Sequence, residues 1–134
     1  MSEHTQKLKD SATAIMDKAY SPYSNFSVGA AILTTSGQIY TGCNVENVSF
    51  GLTICAERNA IAQAISAEGP DLKLEEVVIT NRNADGQSIP CSPCGACRQV
   101  IAEFAHPETT ILYQGKEGDV SATIEALLPD SFKF

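Results

Sequence analysis

Helical and strand periodicities alternate along the whole of this chain, and that alternation restricts the fold more than any other feature. Leu8, Ala12, Ile15, Met16 and Ala19 recur at i, i+4, i+7, i+8 and i+11, the spacing of one face of an amphipathic helix. Ser21-Pro22-Tyr23-Ser24 ends it. Residues 26–35 read as a buried strand, and Ser36-Gly37 turns the chain back into a second strand over 38–43, a hairpin. Residues 55–68 are rich in Ala and Ile and read as a helix that Gly69-Pro70 stops. Val77-Val78-Ile79 marks a strand over 76–80, with a loop over 81–93 behind it. Cys97, Val100, Ile101, Phe104 and Ala105 keep helical spacing, so a third helix runs from about residue 94 to a stop at Pro107. Strands over 109–113 and 120–122 flank a turn, and a short helix over 124–128 ends before Pro129. The order α-β-β-α-β-α-β-β-α predicts an α/β fold: one mixed five-stranded sheet with helices on both faces. Helical crossovers between strands favour some parallel pairing.

The chain has 134 residues, the length of one domain spanning 1–134. Apolar residues at 43% and charged residues at 19% exclude a disordered chain. Nine Lys and Arg against sixteen Asp and Glu leave a net charge of -7. That field repels phosphate backbones and anionic lipid, so neither a nucleic-acid polymer nor a membrane is an expected partner. A neutral nucleoside is not repelled. No apolar run approaches the roughly 20 residues of a membrane span. Met1-Ser2-Glu3-His4-Thr5 lacks the basic and apolar regions of a signal peptide, so a cytoplasmic protein is expected.

Five cysteines, Cys43, Cys55, Cys91, Cys94 and Cys97, are an odd number in a chain large enough to build a core without disulfides. Clustered thiols in a reducing compartment bind metal or do redox chemistry. Cys43, alone in an apolar stretch, reads as a small buried hydrophobe. The informative spans are Cys55-Ala56-Glu57-Arg58 and Pro93-Cys94-Gly95-Ala96-Cys97-Arg98-Gln99, each opening a predicted helix. Unpaired N–H groups and the positive dipole end at a helix start lower a thiol's pKa, and the thiolate is the form that binds metal. Cys94 and Cys97, at i and i+3, share one side of a helix. Cys55 could supply a third sulfur, and three protein ligands leave one zinc position open for water.

Glu57 is two residues from Cys55, so both reach one ion only if it lies off the helix end. Glu57 would then stand beside the water as a proton shuttle. Arg58 and Arg98, two of three arginines, directly follow the cysteine motifs. A guanidinium donating to thiolate sulfur would offset the negative charge of a three-thiolate zinc site. Two other readings use the same residues. Cys91 and Cys94 also form a Cys-x-x-Cys pair, which would make a closed four-sulfur structural zinc module. A thioredoxin-type redox pair would need no metal.

The pattern of a first ligand-x-Glu followed by Pro-Cys-x-x-Cys is the signature of zinc deaminases. Beyond it, the chain resembles the small cytidine deaminases over essentially its full length. The resemblance rests on Ser21-Pro22-Tyr23-Ser24-Asn25-Phe26-Ser27-Val28-Gly29-Ala30, Gly42-Cys43-Asn44-Val45-Glu46-Asn47, the two cysteine spans, and Leu127-Leu128-Pro129-Asp130-Ser131-Phe132. It implies a three-layer α/β/α sandwich and one zinc per subunit on Cys55, Cys94 and Cys97, with Glu57 as the catalytic acid and base. It implies that Asn44 and Glu46 bind ribose hydroxyls, that Phe26 packs on the nucleoside, and that Ala56 backbone and Glu57 carboxyl read the pyrimidine edge. A homotetramer is implied, in which a neighbour completes each pocket through Phe132 and the segment around Phe50. The implied reaction is hydrolytic deamination of cytidine or 2′-deoxycytidine in pyrimidine salvage, with zinc delivering hydroxide to C4.

The chain departs from the family at Phe50, where Tyr is frequent, and at Asn59, where Thr is common. A deaminase of another cytosine-bearing compound, of the blasticidin S type, shares the zinc motifs; Glu46 and Arg58 favour the nucleoside enzyme. Taken singly, Asn44 and Glu46 are ordinary polar loop residues, Phe26 and Phe132 core aromatics, and Glu57 a first-turn acid. Their place in one ordered set carries the assignment. His4 and His106 receive no role, and Glu75, Glu76 and Glu117 read as solvated surface.

Overall fold

The computed structural model describes residues 3–134, so Met1 and Ser2 of the opening stretch lie outside the described residues. The elements are α1 (Glu3–Met16), β1 (Ser27–Thr34), β2 (Ile39–Cys43), a 3-10 turn (Phe50–Leu52), α2 (Ala56–Glu68), β3 (Leu74–Arg82), α3 (Gly95–Phe104), β4 (Ala105–Gly115), β5 (Gly118–Thr123) and α4 (Ile124–Leu127). One sheet holds the strands in the order β2-β1-β3-β4-β5. β1 is antiparallel to both β2 and β3, β3 and β4 are parallel across the α3 crossover, and β4 and β5 are antiparallel. This is the expected mixed sheet.

Alternation along the strands sends neighbours to opposite faces, and helices cover both. On one face Leu8 and Ala12 of α1 pack on Ala31, Val78 and Leu112. On the other, Ala56, Ala60, Ile61 and Ala64 of α2 and Ile101 of α3 pack on Ala30, Ile32, Val77, Ile79 and Ile111. A strand covered on both faces needs no polar side, which is why Val77-Val78-Ile79 is an unbroken apolar run. Two glycines seat the helices. A Cβ on Gly42 would lie 2.4 Å from Ala60 N and 2.6 Å from Ala56 O, so only glycine lets β2 touch the α2 backbone. Gly29 does the same under α1, where a Cβ would lie 2.0 Å from Ala12 O.

Four local expectations are corrected. α1 ends at Met16, and Ala19 belongs to the turn that follows, its N–H bonded to Met16 O at 3.1 Å. β3 runs on to Arg82, shortening the loop behind it. α3 stops at Phe104, not Pro107, and passes straight into β4. Pro107 instead occupies the irregularity where the β3–β4 register jumps from Leu74↔Ala105 to Glu76↔Thr110, a position where a strand tolerates proline. Glu75 and Glu76 are not merely solvated. The Glu75 carboxylate lies 2.8 Å from the His106 ring, and Glu76 accepts from Thr5 Oγ1 at 2.7 Å.

Candidate metal centre and adjoining cavities

Cys55 and Cys94 are the N-cap residues of α2 and α3, so the two helix starts meet at their sulfurs. The Cys94 sulfur accepts from Cys97 N at 3.4 Å, taking the place that a Ser or Asp oxygen fills in an ordinary cap. Cys55 Sγ and Cys94 Sγ are 3.8 Å apart. The sulfurs of Cys55, Cys94 and Cys97 all lie within 4.8 Å of one another. Tetrahedral zinc with Zn–S bonds of about 2.3 Å sets its sulfurs about 3.8 Å apart, the separation of Cys55 and Cys94, so three thiols gathered this closely suit that ion. Cys91 stands outside the cluster, which removes the four-sulfur arrangement; its sulfur makes only a 4.0 Å contact to Ser92 O.

The electrostatics of the cluster follow from crowding three thiols at two positive helix ends. The neighbouring Cys97 thiol, with help from the Arg58 guanidinium, pulls the Cys55 thiol down to about 5. The proximity of Cys55, together with burial, pushes Cys97 up. Arg58 Nη2 reaches Cys55 Sγ at 3.5 Å and Thr53 O at 3.4 Å. Its Nε is buried with no partner among the described residues. Arg98 behaves differently from the sequence expectation, for none of its bonds goes to sulfur. Its guanidinium donates to Pro93 O (2.8 Å), Leu127 O (2.7 Å) and Ser92 Oγ (3.1 Å), tying the segment before Cys94 to α4.

Glu57, in the first turn of α2, is only 4% exposed. Burial raises its carboxyl pKa, and the adjacent Cys55 charge raises it further. It lines a cavity of about 210 Å³ with Cys55, Cys94, Ala56, Phe26 and Asn44, closed further by Val28, Thr53, Ile79, Cys91 and Ser92. A second cavity of about 270 Å³ is lined by Tyr23, Ser24, Glu46, Phe50 and Thr53. Thr53 belongs to both, so the two adjoin. Larger concavities elsewhere, of about 370 and 570 Å³, contain no comparable cluster of ligating groups.

The remaining sequence candidates divide between these spaces. Asn44 is 8% exposed; its Oδ1 accepts from Val28 N and its Nδ2 donates to Phe26 O, both at 2.9 Å. That leaves one lone pair and one N–H for a ligand. Glu46 accepts from Tyr23 N (2.9 Å), Ser24 N (3.2 Å) and Ser24 Oγ, and these bonds, the Ser24 hydroxyl above all, hold its carboxyl below the usual range. Phe50 is 74% exposed and edges Tyr23. Phe132 is 68% exposed and sits apart from both cavities, against Phe134. Sequence reasoning missed Thr53, the hinge of the two spaces, and the role of Asn59, whose amide donates to Cys43 O at 2.8 Å and fixes α2 to the end of β2. Neither carries a spacing signal.

A family model described as the cytidine and deoxycytidylate deaminase zinc-binding region matches residues 2–113. The chain is 43% identical over 128 residues to a cytidine deaminase of Sporosarcina psychrophila, covering 95% of this chain and 90% of that one. It superposes on the crystal structure of cytidine deaminase from Mycobacterium tuberculosis with a TM-score of 0.82 and 37% identity, over 99% of this chain and 100% of that one. A blasticidin-S deaminase of Bacillus cereus is less similar, at 33% over 107 residues, 76% of this chain and 74% of that one.

Proposed function

The chain belongs to the cytidine and deoxycytidylate deaminase zinc-binding family and is a zinc-dependent deaminase, and on that premise we propose that it hydrolyses cytidine and 2′-deoxycytidine to uridine and 2′-deoxyuridine plus ammonia. The observation that carries this reading is the placement of one buried carboxyl, Glu57, in the same small cavity as the sulfur cluster. Cys55, Cys94 and Cys97 hold the ion. A bound zinc supplies Lewis acidity that makes water nucleophilic at neutral pH. The cavity falls below the roughly 300–1,000 Å³ of pockets for drug-sized ligands, a size suited to a single ring.

Glu57 moves the protons. It takes the first from the attacking water and places it on ring N3, where it remains in uridine. It takes the second from the new C4 hydroxyl and gives it to the amine, so that the C4–N4 bond breaks with release of neutral ammonia. A carboxyl whose pKa burial has raised suits this exchange better than a solvated one. Phe26 packs on the base, the Ala56 backbone and the Glu57 carboxyl read the N3 edge, and Arg58 offsets the charge on the Cys55 sulfur. The sugar extends past Thr53 from the first cavity, which Asn44 lines, into the second, which Glu46 lines, and these two side chains take its hydroxyls. A ring-sized space joined to a polar one matches a nucleoside better than a free base.

The exposed apolar side chains Val45, Val48, Phe50, Leu52 and Ile54 fall within ten residues, a concentration expected of a covered surface. We assign it, with Phe132, to a homotetramer in which neighbours complete each pocket. Residues 1–134 act as one domain in cytoplasmic pyrimidine salvage. No described helix is long and apolar enough to cross a membrane. Metal analysis paired with an absorbance assay for cytidine loss tests the reading. One zinc per subunit and cytidine turnover are expected, with free cytosine a poor substrate. Full turnover after complete metal removal would overturn it.

A further inference from the structure

Cys91 has no part in the sulfur cluster, yet its side chain lines the cavity that holds Glu57. Its backbone is fixed on two sides. The Cys91 N–H donates to Gln114 O at 2.9 Å, pinning the segment to β4. Upstream, the buried Asn81 amide clamps Ile89 at both backbone groups, accepting from its N–H at 2.9 Å and donating to its carbonyl at 2.7 Å. A side chain on so constrained a backbone cannot retreat from a ligand at low cost. Neighbouring Ser92 is engaged elsewhere, its hydroxyl accepting from Arg98.

We infer that Cys91 is a specificity-determining residue that limits the room for a substituent on C5 of the pyrimidine. The inference rests on the deaminase reading, which turns C4 to the sulfur cluster and N1 toward Asn44 and Thr53. The N3 edge then belongs to Ala56 and Glu57 on the α2 side. The opposite edge, C5 and C6, falls to the wall on the other side of the cluster, the segment running from Cys91 to Cys94. Of the cavity-lining side chains there, Cys91 is the one with neither a metal to bind nor a strong hydrogen-bond partner among the described residues.

The test compares zinc-loaded wild type, Cys91→Ala and Cys91→Ile, with kcat/KM for 5-methylcytidine divided by that for cytidine as the readout. One methyl in an apolar pocket discriminates by about 10–200-fold. The ratio should rise about tenfold in the smaller variant and fall about tenfold in the larger, the lower end of that range. The product inhibition constants of 5-methyluridine and uridine should shift in the same sense, which separates pocket room from an effect on chemistry. Unchanged ratios in both variants, with cytidine still turned over and zinc content confirmed, would overturn the inference alone. Wild type that is fully zinc-loaded yet inert toward cytidine would overturn the deaminase reading and this inference with it.

Discussion

Replacing Gly42 by alanine should destabilise the protein and damage its activity through a helix that the residue itself does not belong to. In an open strand the change would be mildly favourable, because Gly costs about 0.5–1 kcal/mol relative to Ala there. Here the new Cβ would lie 2.4 Å from Ala60 N and 2.6 Å from Ala56 O. Those two atoms flank the first turn of α2, and neither can rotate away as a side chain could. Reaching even a 3.0 Å contact from 2.4 Å requires a shift of about 0.6 Å. Overpacking of this kind costs about 1–3 kcal/mol, and backbone against backbone belongs at the upper end, so a net loss of about 2 kcal/mol is expected. Unfolding entropy of about 2.1 cal/mol/K per residue over this chain gives about 3.5 °C per kcal/mol, hence a Tm about 7 °C lower. The displaced turn carries Glu57 and follows Cys55. Misplacement by about 1 Å can cost about a hundredfold, so kcat/KM should drop by about tenfold or more. Thermal melting and cytidine kinetics on the zinc-loaded variant measure both. A Tm equal to or above wild type would refute the close approach of β2 and α2.

Glu57→Gln should keep zinc and fold while losing about 10²- to 10⁴-fold in kcat; turnover near wild type would remove Glu57 from proton transfer. The same variant has a stability signature in the metal-free protein. Because burial raises the Glu57 pKa, wild type keeps that contribution at low pH and loses it as pH rises through the raised value. Melting curves should therefore show Glu57→Gln gaining on wild type as pH increases, and a gap independent of pH would contradict the burial. Zinc must displace the proton that Cys97 holds tightly, so its affinity should weaken as pH falls, by about tenfold per unit for each proton released; competition with a chromophoric chelator across pH reads this. Arg58→Gln removes the cation that faces the Cys55 sulfur, and the acidic limb of the pH–rate profile should move to higher pH; an unshifted profile would show that the 3.5 Å contact has no bearing on the reaction.

The element order was legible because each segment carries its own periodicity, and the two cysteine spans were legible because helix starts are marked by sequence. What spacing could not supply was relative position. Nothing in the chain states that α2 and α3 point their first turns at one another, since that depends on Gly42, Asn59 and the shared face of the sheet. Pro107 looked like a helix stop because proline usually is one, but the β3–β4 register jump gave it a place inside a strand. Arg98 follows its motif as Arg58 does, yet one guanidinium meets sulfur and the other meets carbonyls and a hydroxyl. Their sequence contexts are alike, and only the direction of each side chain in space differs. Thr53 became visible solely as a wall of a cavity formed by distant segments, and Cys91, which spacing offered as a fourth sulfur, lines that cavity instead.

The direct passage of α3 into β4 makes the two sides of the sulfur cluster mechanically unequal. Cys94 and Cys97 ride on a helix welded at its far end to an interior strand, so moving them drags the sheet. Cys55 follows the exposed excursion over residues 46–54, anchored at its base by the Val45–Ile54 bridge. Within α3 one helical turn fixes the spacing of Cys94 and Cys97, so an ion of a different radius would have to be met by a change in the distance between the starts of α2 and α3.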